Sequence, residues 1–161
     1  MISIGSYQEA MNVKDDKNYT IINLSGTPIH GDATSFNIPM KDQLLEIKKI
    51  MPSIITTINL INCNKTSYIF INCNKGINRS PLILASYLII NYGYKAPEAI
   101  KYVKNINYKK GRPTLTNVQY VNTLYYIDYI FTENHKQMYK QIDYIPNAEI
   151  ISSSGSFTPP M

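Results

Sequence analysis

Cys73-Asn74-Lys75-Gly76-Ile77-Asn78-Arg79-Ser80 separates two apolar runs of different character, and that junction decides the fold. Upstream, residues 67–72 (SYIFIN) form a short, strongly apolar run with the composition of a buried strand. Downstream, residues 80–92 are apolar over a longer span and stop at Gly93, as a helix does. A strand that turns directly into a helix leaves backbone N–H groups around a concavity, which is an anion site. Gly76 lets the backbone bend tightly there. Arg79 offers a planar fork for two phosphate oxygens, which Lys cannot copy. Cys73 sits in the field of the helix terminus and Arg79, which favours the thiolate, and Ser80 can donate a hydrogen bond to that sulfur.

Working outward, residues 2–4 read as a short strand and 6–11 as a short helix. Residues 19–24 (YTIINL) and 35–40 (SFNIPM) read as strands, with a loop at 25–31. Between 43 and 61, Leu44, Ile47, Met51, Ile54, Ile55 and Ile58 fall at helical spacing, and Pro52 predicts a kink or break near Met51. Further helices are predicted over 97–105 and from the cap residue Asn117 to about 131. Strands separated by helical crossovers imply an α/β fold with a mostly parallel central sheet flanked by helices. One domain over 1–134 is expected. Residues 135–161 end in SSSGSFTPPM and read as a C-terminal extension, partly disordered.

The composition excludes several classes. The chain has 161 residues, 44% of them hydrophobic, which suits one domain with one core. Two cysteines cannot make a disulfide scaffold. No apolar run is long enough to span a bilayer, and the N-terminus lacks the pattern of a secretory signal, so a reducing, cytoplasmic setting is expected. The +5 net charge is compatible with an acidic or phosphorylated ligand, and no nucleic-acid module accompanies it. Of the 16 basic residues only Arg79 and Arg112 are arginines. In a chain that uses Lys so freely, each Arg suggests a need for the guanidinium shape.

Cys-x5-Arg followed by Ser or Thr is the signature of the cysteine-dependent protein phosphatases. The chain resembles the small dual-specificity phosphatases carried by poxviruses and other large DNA viruses, over residues 4–131. IGSYQEA, INLSG, SPLILASYLI and RPTLTNVQYVNTL carry the flanking likeness. The resemblance implies the protein tyrosine phosphatase superfamily fold. It also implies hydrolysis of phosphotyrosine and phosphoserine/threonine in protein substrates through a cysteinyl-phosphate, with no cofactor and no metal. Cys73 would be the nucleophile and Ser80 its hydrogen-bond donor. Asn74, Lys75, Gly76, Ile77, Asn78 and Arg79 would bind the phosphate. A viral protein of this kind would act in the host cell or the virion.

The proton donor follows from strand direction as well as from the resemblance. Functional loops gather at the carboxyl ends of parallel strands. Asp42 follows the predicted 35–40 strand and shares an edge with Cys73, whereas Asp32 precedes that strand. In the resembled family the acid follows an Ile-Pro-containing strand, as Asn37-Ile38-Pro39-Met40-Lys41-Asp42 does here. Asp42 also suits the N-cap of the next helix, and both roles can coexist.

The chain departs from the family at Asn72, where His is usual, and Asn cannot carry charge. That opens the reading of a pseudophosphatase that binds phosphoproteins without turnover. An RNA 5′-phosphatase and a phosphoinositide phosphatase share the same chemistry. Lys41 and Lys75 are expected beside the pocket, and Asn78 is expected to brace the loop. Arg112 either contacts substrate or ties its loop to the last helix. Tyr120, Tyr125, Tyr126 and Tyr129 offer a homodimer contact. Cys63 and Cys73 stand at opposite ends of a strand that spans about 20 Å, too far for a disulfide.

Overall fold

A computed structural model describes residues 1–141, with side chains through residue 133. The chain runs β1 (Ile2–Gly5), α1 (Tyr7–Met11), β2 (Tyr19–Asn23), β3 (Thr34–Asn37), α2 (Ile47–Cys63), β4 (Tyr68–Asn72), α3 (Arg79–Tyr92), α4 (Ala96–Tyr108) and α5 (Val118–Gln141). The strands make one parallel sheet in the order β1-β4-β2-β3. This is the predicted α/β architecture. α5 continues past 131 to Gln141, and the rest of the expected extension, 142–161, lies outside the described residues.

The period of two along each strand sorts the sheet's faces. Ile22 and Ile71 turn to the large core shared with the helices, while Ile21 and Phe70 turn to a smaller core with Ala10, Ile29 and Ala33. α3 is buried at every position from Ser80 to Ile89, as befits a helix packed on the sheet and against α4 and α5. Each buried Leu or Ile there contributes about 1.5–3 kcal/mol relative to exposure. Gly93 ends α3 in the left-handed conformation, and its N–H reaches the Ile89 carbonyl.

Three boundaries differ from the sequence reading. β3 ends at Asn37, although the N–H groups of Ile38 and Met40 still bond the Asn23 and Leu24 carbonyls at 2.9 and 3.2 Å; Pro39 stands between them on the edge strand, where its missing donor costs no ladder bond. α2 starts at Ile47, leaving Leu44 outside the helix and 71% exposed. Pro52 does not break α2. The bond it forgoes belongs to Lys48 in an exposed first turn, and the stripe Ile50, Ile54, Ile58 and Ile61 stays buried. Asp42 is not the cap of α2, since Glu46 holds that position without a side-chain bond.

Tyr120 is fully buried, which removes it from the proposed dimer face. Tyr125, Tyr126 and Tyr129 are exposed. Among the described residues no helix is long and apolar enough to cross a membrane.

Candidate active site

At the carboxyl edge of the sheet, a cavity of about 290 Å³ opens between two segments. Asp42 and Thr116 line it from one side. Cys73, Asn74, Lys75, Ile77, Asn78 and Arg79 line it from the loop between β4 and α3. The sequence-predicted groups thus meet in one place. Lys41 is exposed beside a smaller, adjacent cavity instead.

The loop is held by its carbonyls. Tyr7 N–H donates to Asn74 O at 3.0 Å, Asn107 Nδ2 to Gly76 O at 2.8 Å, and Leu115 N–H to Ile77 O at 2.9 Å. Trans peptides set each following N–H opposite its carbonyl. Carbonyls tied outward therefore leave the N–H groups of Lys75, Ile77 and Asn78 facing the other way. Leu115 makes its bond from φ 55°, a left-handed backbone that costs a non-glycine residue about 1–2 kcal/mol. Gly76 itself has φ 74°, and a Cβ there would meet Arg112 Nη1 at 2.6 Å.

Cys73 is only 2% exposed. Its Sγ accepts the Gly76 N–H at 3.2 Å and lies 3.5 Å from Ser80 Oγ. Ser80 Oγ also donates to Gly5 O at 3.3 Å. One hydroxyl proton serves one of these acceptors at a time. A thiol can donate to Oγ while Ser80 points at Gly5, and a thiolate draws the Ser80 proton to sulfur. Asn72, in place of His, donates from Nδ2 to Cys73 O at 3.3 Å.

Arg79 is anchored through Nη1 to Met40 O at 2.8 Å and Leu24 O at 3.3 Å. Its Nε is buried and has no acceptor among the described residues. A buried N–H without an acceptor costs about 1–3 kcal/mol, which an incoming anion would recover.

Asp42 is held by two amides. Asn78 Nδ2 donates to Oδ2 at 2.9 Å and Asn117 Nδ2 to Oδ1 at 3.0 Å. Asn117 also caps α5, its Oδ1 accepting the N–H of Gln119 at 3.0 Å. The first turn of α5 grips the segment around Asp42 by its carbonyls: Tyr120 OH to Lys41 O, Asn117 Nδ2 to Gln43 O, and Gln119 Nε2 to Leu45 O, at 2.8, 2.9 and 2.9 Å. Burial, and next the charge of Asp42, hold the Tyr120 phenol well above its usual range. Sequence reasoning identified Asn117 only as a cap and missed Gln119 and Tyr120 at the site.

Arg112 does not line the cavity. Its Nη1 pairs with Glu9 Oε1 at 2.8 Å behind Gly76, so this arginine ties its loop to α1 and not, as the sequence reading had it, to the last helix. Glu9 also accepts from Lys110 Nζ at 2.9 Å and from Ser6 N–H at 2.9 Å, closing the capping box of α1. Burial alone would raise the Glu9 pKa, but Lys110, the Ser6 N–H and Arg112 outweigh it and bring it down to about 2. Cys63 and Cys73 are both free thiols.

Comparison with known proteins agrees with this geometry. The family model described as dual specificity phosphatase, catalytic domain, matches residues 3–130. The crystal structure of DUSP15 superposes with a TM-score of 0.64 at 21% identity, covering 85% of this chain and 88% of that one. Human DUSP28 gives 0.59 at 15% identity, covering 83% and 94%. OH1 from the Orf virus, described as a tyrosine phosphatase with triple substrate specificity, gives 0.50 at 19% identity, covering 76% and 80%. No curated protein sequence matches the chain. With the family model spanning most of the chain and the fold shared with these phosphatases, the protein belongs to the dual-specificity phosphatase family and is an enzyme of that class.

Proposed function

We propose that this phosphatase hydrolyses phosphotyrosine and phosphoserine/threonine in proteins through a cysteinyl-phosphate on Cys73. The observation that carries the reading is one cavity holding a buried sulfur with two hydrogen-bonding partners, an arginine with a spare buried donor, and a carboxyl group.

In the first step the Cys73 thiolate attacks phosphorus. The S–P bond forms, the ester P–O bond breaks, and Asp42 gives its proton to the leaving alcohol or phenol. In the second step the Asp42 carboxylate takes a proton from water, whose oxygen attacks phosphorus. The S–P bond breaks, phosphate leaves, and Ser80 donates its hydrogen bond to the returning thiolate. Arg79 and the loop N–H groups stabilise the equatorial oxygens in both steps.

Among the described residues, Lys75 and Arg79 are the only cations lining the cavity, opposite Asp42. That charge suits one phosphoryl group better than a triphosphate or a multiply phosphorylated lipid headgroup. Turnover of phosphotyrosine and phosphoserine peptides is therefore expected to exceed that of 5′-triphosphate RNA and phosphoinositide. Acid quenching during turnover should trap phosphate on Cys73, and Cys73→Ser should abolish both signals. Absence of any turnover by the wild type, with phosphopeptide still bound, would establish the non-catalytic binding module instead.

A further inference from the structure

Three asparagines end three neighbouring strands in one row. Asn37 pairs in register with Asn23, and Asn23 with Asn72. Their side chains are joined across the strands: Asn23 Nδ2 donates to Asn37 Oδ1 at 2.9 Å, and Asn72 Nδ2 donates to Asn23 Oδ1 at 3.0 Å and onward to Cys73 O at 3.3 Å. The row stands immediately before the residues that build the phosphate cradle. Leu24, next to Asn23, supplies a carbonyl to Arg79, and Cys73 is next to Asn72.

Asn23 also holds the turn after β2, its Nδ2 donating to Thr27 O at 2.6 Å and its Oδ1 accepting from Ser25 N–H and Oγ at 3.1 and 2.6 Å, but that turn does not account for the links to Asn37 and Asn72. Asn23 and Asn72 are buried at 1% and 0% exposure, and Asn72 Oδ1 has no partner among the described residues. Apolar side chains at such positions would avoid the desolvation of two amides. Asparagine instead gives each strand end a directional link to the next, so that a displacement of one is resisted by its neighbours.

We infer that Asn37, Asn23 and Asn72 form a side-chain relay that positions Cys73 and the Leu24 anchor of Arg79, making Asn23 a positioning residue that never touches substrate. The inference rests on the proposed role of Cys73 as nucleophile. The relay runs from an exposed end at Asn37 to the buried nucleophile, so its outer link can be cut without opening the core.

The test uses the full chain carrying Cys63→Ser, so that iodoacetamide reports on Cys73 alone. Alkylation rate, kcat and KM for an aryl phosphate, and Tm are measured for Asn23→Leu, Asn37→Leu and Asn37→Asp. Asn37→Asp keeps the acceptor for Asn23 Nδ2, and Asn37→Leu removes it. Asn23→Leu is expected to lower both alkylation rate and kcat about tenfold with KM within about twofold, since small misplacements cost rate rather than binding. Asn37→Leu is expected to lower both about threefold and Asn37→Asp to restore them. Wild-type alkylation and kcat in Asn23→Leu, or equal behaviour of the two Asn37 variants, overturns the relay. If Asn23→Leu does not fold, the Asn37 pair decides. If the wild type hydrolyses nothing, the proposed function fails while the alkylation rates still decide the relay.

Discussion

Asn78 Nδ2 lies 2.9 Å from Asp42 Oδ2, a hydrogen bond across 36 positions of sequence that couples the phosphate loop to the carboxyl group facing it. The same Asn78 accepts the Asn117 N–H at 3.0 Å, and Asn117 holds the other carboxyl oxygen. Two asparagines thus clamp Asp42 between the start of α3 and the start of α5.

Asp42→Asn removes the proposed proton donor while keeping similar size and one of the two acceptors in the clamp. The kcat for a phosphoserine peptide is expected to fall about 10²–10⁴-fold, and much less for an aryl phosphate whose leaving group needs little protonation. Steady-state rates across a leaving-group series check this. An equal loss for every leaving group would remove Asp42 from the acid role.

Asn117→Ala breaks two functions at once. Loss of the α5 cap is expected to cost about 1 kcal/mol and lower Tm by several degrees. Freeing Asp42 Oδ1 and Gln43 O should also lower kcat on phosphoserine peptide. Asn117→Ser keeps a cap acceptor but loses the amide donor, so it should recover Tm and not kcat. Calorimetry beside kinetics separates the two.

Glu9 sets a pH dependence of stability. Its pKa is near 4.5 in the unfolded chain and about 2 in the folded protein. A depressed carboxyl pKa stabilises the fold above the unfolded value, and that contribution is lost as pH falls toward the folded one. Glu9→Gln should therefore lower Tm at neutral pH, and the gap to wild type should close between pH 4.5 and about 2. Thermal melts of both proteins over that range test it.

Gly76→Ala places a Cβ where Arg112 Nη1 stands 2.6 Å away and the Gly5 carbonyl carbon 3.0 Å away, at a φ of 74°. Backbone strain alone costs about 1–2 kcal/mol. The loop must also shift off Arg112, so binding of vanadate or phosphate is expected to weaken together with Tm. Titration of the purified variant against either anion measures the loss.

The loop from Cys73 to Ser80 was readable in the sequence because its pattern is local: one strand, one turn and one helix carry the cysteine, the glycine, the arginine and the serine in a single run. Asp42 was also within reach, since parallel strands put their carboxyl ends on one edge. Element ends were less legible. Pro39 sits on an edge strand between two residues that still bond β2, and Pro52 left α2 unbroken, because the buried isoleucine stripe outweighs one forgone bond near a helix start.

By itself the sequence determined the α/β order of elements, the strand-to-helix turn between β4 and α3 and the identity of the groups in it, all of which depend on residue types a few positions apart. Only the tertiary structure decided what holds those groups in place. Asn78 and Asn117 on Asp42, Tyr120 under Lys41, Glu9 on Arg112 and the Asn37–Asn23–Asn72 row are each made by residues from separate elements. Such pairings carry no spacing pattern in the chain. They depend on strand order and register, which bring side chains far apart in sequence to hydrogen-bonding distance.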